Sequence, residues 1–394
     1  MKYFITFIYV IIALLVIAFL IVSYIKYSNN QKTSEQKLEE LDKKFMADSS
    51  IVDGGVFIKS LDSGKEHRIT KGDIHNKKFY LASVSKLFTH TLVFQLIDEG
   101  IIEKEKHIED YLSRKVWKGI LKIEGKDYSG KITIKDLLDQ TSGLADYETD
   151  FQIDGKHILD ALVETDFLMS FESALDATRT LNPIHKPGKN ESAYYSNLNS
   201  LLLGKIAEEL TGQSYADLIR ERIVDKLDLK NTSVAKRTFD IVPVHVKSVP
   251  RSPIKYISSA PAAGGLVSDL EDTMTFIQAF FKGELFDKKH IVNGDFKPIQ
   301  FFPIQYGSGM MKVEMNSLIS PIIAAPRILG HSGSTGSFAY YHQDSDTFIV
   351  GTTNQVKSNP YMYIYSYLDA LIKAESKGHA FSPSSHKNTL EASK

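Results

Sequence analysis

Hydrophobic and polar positions along the chain separate a membrane-length stretch, a folded body and two polar flanks. Tyr3–Ile25 is an uncharged run of 23 residues, long enough to cross a hydrocarbon core of ~30 Å as a helix. It exceeds the apolar stretch of a cleaved signal peptide, and Val22-Ser23-Tyr24 makes a poor cleavage site. It therefore reads as an uncleaved signal anchor over residues 1–25. Flanking charge leaves its orientation undecided, with Lys2 before it and Lys26 and Lys32 after it. Residues 26–50 are polar, carry a short helical pattern around Ser34–Phe45, and read as a stalk or linker. Residues 374–394, rich in Ser, Lys and His, read as a disordered tail.

Residues 51–373 form the body, a single folded domain. Gly54–Ile58 and His67–Ile69, joined by the turn Asp62-Ser63-Gly64, predict paired strands. Ser337–Tyr341 and Thr347–Gly351, joined across Asp344-Ser345-Asp346, predict another pair, followed by a helix over Tyr361–Ile372. Between them the apolar spacing is helical. Thr133 and Asp136 have the spacing of a capping box, with Gly143 placed to close that helix. Asn197 opens a helix that runs to Gly212, Ser214 and Asp217 open the next, and Ser268 with Glu271 predicts a capping box before Met274 and Ile277. Residues 147–183 show mixed helical patterns without clear boundaries, and Lys236–Ser258, with three prolines, reads as an irregular surface connection. Strands at both ends with helices between them predict an α+β fold, its sheet closed by the two ends of the chain, with a mostly helical insertion.

One helix departs from the amphipathic pattern. From Leu87 to Ile97 only Thr89, His90, Thr91 and Gln95 are polar, so this helix is apolar nearly all round and should be buried. Ser83 and Lys86 stand at its head. At i and i+3 they share one face about a turn apart, so the lysine can reach the serine hydroxyl. The first turn also offers free N–H groups and the positive end of the helix dipole. A serine with a base in reach is what nucleophilic acyl transfer requires. Ser-x-x-Lys arises by chance in most chains of this length, and its bland reading is a solvated helix start. A lysine at the head of a buried helix is costly without a partner, which favours the chemical reading.

Composition removes other classes. With 47 basic and 48 acidic residues the formal charge is −1, which gives no electrostatic footprint for nucleic acid. Cysteine is absent, which excludes disulfides, thiolate metal sites and a cysteine nucleophile. The 12 histidines show no metal-ligand spacing, so neither metal nor other cofactor is expected.

Several segments in one order resemble the penicillin-recognising serine hydrolases, of the class C β-lactamase and D-alanyl-D-alanine carboxypeptidase type. They are Ser83-Val84-Ser85-Lys86, then Ile132–Leu138 with Thr141-Ser142-Gly143-Leu144, then Pro187-Gly188 and Tyr195-Ser196-Asn197, then Ala263–Ser268, and last His331-Ser332-Gly333. Together they span Gly54 to roughly Asn354. Any one alone has a plainer account: Tyr195 as a packed aromatic, Asn197 as a helix cap, His331 as a loop residue. Thr141, Ser142, Gly264 and Gly265 read as turn or packing positions outside the site.

The resemblance implies a β-lactamase/transpeptidase-like antiparallel sheet flanked by helices. It implies a membrane-held, extracytoplasmic serine hydrolase acting on D-amino-acid peptides or esters through an acyl-enzyme, with no metal. Ser83 would be the nucleophile, with Lys86 and Tyr195 moving its proton. A phenol of ordinary pKa near 10 is a poor base unless a cation such as Lys86 stabilises its anion. Asn197, His331, Ser332, Gly333 and Ser334 would bind substrate, and the N–H groups of Ser83 and Ser334 would form the oxyanion hole. Histidine at 331 departs from the lysine usual in efficient β-lactamases, so weak β-lactamase activity at most is implied. It also predicts a substrate-carboxylate contact that varies with pH. An acylated receptor without turnover and an esterase of unrelated acyl groups are the alternatives. An α/β-hydrolase elbow around Gly330–Ser334 is rejected, because strand rather than helix follows it.

Overall fold

A computed structural model describes residues 2–378 apart from 163, 189–191, 237–239, 247–248, 293 and 317–324. Eight antiparallel strands form the main sheet: β1 (Gly54–Ser60), β2 (Glu66–Lys71), β3 (Lys297–Pro298), β4 (Ile304–Gly307), β5 (Met310–Met315), β6 (Ala325–Ser332), β7 (Ser337–His342) and β8 (Thr347–Thr352). Their order is β3-β4-β5-β6-β7-β8-β1-β2. Strand β1 pairs with β8, with Phe57 opposite Val350, so the two ends of the body close the sheet as expected.

The principal helices are α1 (Lys2–Gln31), α2 (Ser34–Ala47), α3 (Ser85–Asp98), α4 (Ile134–Asp139), α5 (Asn197–Thr211), α6 (Ile254–Ser259), α7 (Leu270–Lys282) and α8 (Tyr361–Gly378). One face of the sheet packs on the helical body through Phe57, Ala339, Phe348 and Val350, and the other is covered by α8 and α2. Helix α3 runs through the centre of the helical body with Leu87 to Leu96 all buried, and Phe88 stacks on Phe276 of α7 at 3.5 Å. Helix α1 is long and apolar enough to cross a membrane from Phe7 to Gln31.

Caps decide several boundaries. The reciprocal Thr133–Asp136 bonds start α4 as the spacing predicts, but Gln140, in the left-handed region with φ 60°, ends it. Gly143 instead lets the backbone pass close to His185, whose carbonyl oxygen a Cβ would strike. Asp269, not Ser268, caps α7 by accepting from the Asp272 N–H at 2.8 Å, because Ser268 is already committed to the strand Leu266–Ser268.

Two other segments differ from expectation. Residues 26–50 do not form a free stalk. Thr33 caps α2, Phe45 is fully buried against Tyr363, and Asp42 accepts from Tyr367 at 2.9 Å. The 236–258 connection carries a small hairpin, Val244–Val246 with Val249–Arg251, and then α6, whose first N–H groups are held by the Asp166 carboxylate. Its Val244 and Tyr256 are buried. Helix α8 reaches Gly378; of the expected tail, residues 379–394 lie outside the described residues.

Docking of α2 has a measurable consequence. Phe45→Ala should destabilise the body by ~3–5 kcal/mol, the usual loss for a buried phenylalanine. Denaturant unfolding of the protein from residue 33 onward reads this directly; a change below about 0.5 kcal/mol is what a solvated linker would give.

Candidate active site

The strand Phe79–Tyr80 delivers the chain to a tight elbow, where a 3₁₀ turn over Ala82–Val84 precedes α3. Ala82 has φ 45°, a left-handed conformation that a side-chain-bearing residue adopts only when its surroundings impose it. Those surroundings are specific. Thr335 donates to the Tyr80 carbonyl at 3.0 Å, and Ser337 to the Leu81 carbonyl at 2.6 Å. The Leu81 N–H donates to the Leu266 carbonyl at 2.9 Å, and the Leu266 N–H to Ser85 Oγ at 3.1 Å. Gly333 must lack a side chain here, since a Cβ would lie 2.7 Å from the Leu81 carbonyl oxygen and 2.9 Å from Ala82 Cβ. The elbow thus holds Ser83, half-buried, at the mouth of a cleft.

Lys86 is completely buried one turn later. Its Nζ donates to Ser83 Oγ at 3.1 Å, to Asn197 Oδ1 at 2.6 Å and to the Ala263 carbonyl at 2.5 Å. Burial lowers its pKa to about 8, while the nearby Glu148 and Asp146 carboxylates pull the other way. Asn197 is the first residue of α5, and Ser196 occupies the cap, which leaves the amide free to bridge. Its Nδ2 donates to Glu148 and, at 3.2 Å, to Asp146, whose carboxylate also accepts the Asn197 N–H at 2.9 Å. Burial raises both carboxyls, Glu148 to about 7.

Tyr195 lies beside this group, with Lys86 Nζ 5.1 Å from its ring centre. Gln300 clamps it by accepting from its N–H at 2.8 Å and donating to its carbonyl at 2.9 Å. Burial, and then the neighbouring Tyr306, hold its pKa well above 10; proximity to the Ser83 hydroxyl lowers it slightly, although no well-formed hydrogen bond closes. The condition under which Tyr195 would act as a base, an anion stabilised by Lys86, is therefore not met at rest. The lysine meets the ring face, and Tyr195 is a neutral phenol able to give a proton rather than take one.

The structure brings Ser83, Lys86, Tyr195, Asn197 and Ser334 together, but not His331 and Ser332. Side chains alternate across a strand. His331 points under Tyr195 and Tyr306, fully buried, with ring centres 6.0 and 5.7 Å away. Its Nε2 lies 3.3 Å from the Tyr306 hydroxyl, and burial drives its pKa well below 6.5, so it is neutral and out of reach of a substrate carboxylate. Ser332 faces the opposite side, bonded to the hydroxyls of Tyr340 at 2.9 Å and Tyr361 at 2.8 Å. Gly333 shapes the elbow, and Ser334 and Thr335 alone from this turn line the cleft.

The cleft opens to solvent and has about 70 Å³ of interior space for atoms of water size. Tyr147, Leu159, Val244, Tyr256 and Ile257 give it an apolar wall, and Glu148 and Arg251 are its charged lining groups. Sequence reading missed Asp146, Glu148, Gln300 and Tyr256; the run Asp146-Tyr147-Glu148 directly after Leu144-Ala145 was the available signal. Among the described residues no group of three or more His, Cys, Asp or Glu side chains is arranged to hold a metal ion.

Known proteins match this arrangement. The family model described as Beta-lactamase matches residues 51–374. Penicillin-binding protein 4* of Bacillus subtilis (strain 168) is 28% identical over 281 residues, which are 66% of this chain and 56% of that protein. The chain thus spans about half the length of that relative. A D-stereospecific amidohydrolase from Streptomyces sp. is 24% identical with TM-score 0.65, covering 82% of this chain and 97% of that one. The D-amino acid amidase from Ochrobactrum anthropi SV3, complexed with L-phenylalanine, is 18% identical with TM-score 0.68, covering 88% and 100%. At these identities the two structures share the fold.

The two pKa directions predict a pH profile. With a lysine pKa near 8, the neutral amine fraction grows as pH rises, so kcat/KM for a neutral ester should climb about tenfold per unit below pH 8 and level above it. The ratio of a carboxylate-bearing substrate to its neutral amide should vary with pH through Glu148, which lines the cleft with its pKa raised to about 7, and that dependence should be unchanged in His331→Gln, since burial keeps His331 neutral. A pH dependence of the ratio that is lost in His331→Gln would place a charged imidazole in the cleft instead.

Proposed function

The chain belongs to the Beta-lactamase family of serine hydrolases, and from that premise we propose that it cleaves amides, peptides or esters of D-amino acids through an acyl-enzyme on Ser83. The observation that carries this reading is the buried Lys86 amine, held 3.1 Å from Ser83 Oγ by Asn197 and the Ala263 carbonyl. A neutral Lys86 amine takes the serine proton as Oγ attacks the substrate carbonyl carbon. The N–H groups of Ser83 and Ser334, two residues that line the cleft, hold the oxyanion. As the intermediate collapses, the leaving amine or alcohol takes a proton from Lys86, relayed or supplied by the Tyr195 phenol. Water then attacks the acyl carbon and gives a proton to Lys86, which returns it to Ser83 Oγ as the bond from Oγ to the acyl carbon breaks and the acid departs. Likeness of fold to a D-stereospecific amidohydrolase and a D-amino acid amidase supports the choice of acyl donor. A neutral, buried His331 supports weak β-lactamase activity at most.

The apolar α1 supports anchorage in the cell membrane, with the body on the extracytoplasmic side. Protein made from residue 33 onward should be soluble, whereas the full chain should stay with membranes after carbonate washing. External protease should reach the body in spheroplasts; protection there would reverse the proposed orientation.

Ser83→Ala should abolish covalent labelling by a fluorescent penicillin or an active-serine phosphonate, and Lys86→Ala should slow acylation at least ~10²-fold. Intact-mass detection of an adduct on the alanine variant would falsify the assignment of the nucleophile. With a D-amino-acid amide the wild type should show steady turnover; a single burst equal to the enzyme concentration would mark an acylated receptor instead.

A further inference from the structure

Beneath the nucleophile, charge does not balance. Two carboxylates, Asp146 and Glu148, share the amide of Asn197, and one ammonium, Lys86, faces them from its other side. Buried carboxylates are stable only when paired. Asp146 is sealed in, fully buried, and accepts from Asn197 and from Thr149 at 3.1 Å. Glu148 is different. It lines the same cleft as Ser83 and accepts from the Tyr256 hydroxyl at 3.1 Å. Tyr147 and Tyr256 line the cleft beside it and offer aromatic surface of the kind that attracts ammonium groups.

We infer that Glu148, flanked by Tyr147 and Tyr256, binds the free α-ammonium of the acyl donor, so that the substrates are aminoacyl amides, esters or peptides with an unblocked amino terminus. This rests on the serine-hydrolase reading and narrows it, because an N-acylated donor such as an internal peptide bond lacks the cation. The geometry fits the chemistry. In an aminoacyl donor the nitrogen sits on the carbon next to the reacting carbonyl, about 2.5 Å from the carbonyl carbon by standard bond lengths and angles. Asn197 and Lys86 link Glu148 to Ser83 in one hydrogen-bonded chain, and Glu148 and Ser83 line the same cleft. A bound ammonium supplies a second positive charge beside the Asp146–Glu148 pair; burial first, and then the Asp146 charge, raise the pKa of Glu148 to about 7.

The test separates binding from turnover. Calorimetry on Ser83→Ala should show D-phenylalanine amide binding at least tenfold more tightly than N-acetyl-D-phenylalanine amide, with the difference lost in the Ser83→Ala/Glu148→Gln double variant. In protein with intact Ser83, the kcat/KM ratio of D-phenylalanine p-nitroanilide to its N-acetyl form should exceed about 10² and fall at least tenfold in Glu148→Gln. Equal use of both substrates by the wild type, or a Glu148→Gln loss that leaves the ratio unchanged, overturns the subsite and makes Glu148 a positioning residue for Asn197. Preferential binding of the free amine without any turnover would keep the subsite and overturn the hydrolase reading.

Discussion

Everything in this site depends on one buried cation. An ammonium at 0% exposure costs several kcal/mol unless each of its three protons has an acceptor. Lys86 finds them in the Ser83 hydroxyl, the Asn197 amide oxygen and the Ala263 carbonyl, and these come from three separate parts of the chain. The requirement therefore joins the elbow before α3, the start of α5 and the turn before the Leu266–Ser268 strand at one point. The same burial that demands the acceptors also lowers the lysine's pKa, so the tie that holds the elements together poises the amine to accept a proton.

Around that cation, burial pushes each neighbouring group toward its neutral form. Tyr195 is held as a phenol, His331 as a free imidazole, and Glu148 is raised to about 7. Only Lys86 and the carboxylates have opposite charges close enough to resist. This division assigns work within the site. A tyrosine that stays protonated suits proton delivery to a leaving group, whereas a lysine near 8 suits proton removal. Position 331, where a cation would have been charged and useful, lies instead behind two tyrosines as part of the packing.

Local spacing made the nucleophile and its base legible in the sequence, because i to i+3 on one helix fixes proximity without any tertiary knowledge. The Thr133–Asp136 box and the Gly212 end of α5 were readable for the same reason: their cap bonds close within four residues. What failed depended on contacts far apart in sequence. Polar composition made residues 26–50 look like a linker, yet Phe45 is buried at the docking face of α2, and its partner Tyr363 lies in the last helix. Ser332 could not be excluded from the site until the pleat of β6 showed which way it points. Asp146 and Glu148 stood out only as a short run after Leu144-Ala145; their meaning comes from Asn197, to which both bond.

The docked α2 also bears on where the cleft stands. Ser34 bonds the carbonyl of Ala370, while Asp48 accepts from Tyr363, so α2 and α8 run antiparallel. Helix α1 ends at Gln31, three residues before Ser34, and so joins the body toward the C-terminal end of α8. Tyr361, at the other end of α8, bonds Ser332 beside the catalytic elbow. Nine residues of helix separate Ala370 from Tyr361, about 13–14 Å at 1.5 Å per residue. That offset puts the elbow end of the sheet and the α1 junction toward opposite ends of α8, so the docking of α2 separates the cleft from the point where α1 leaves the body.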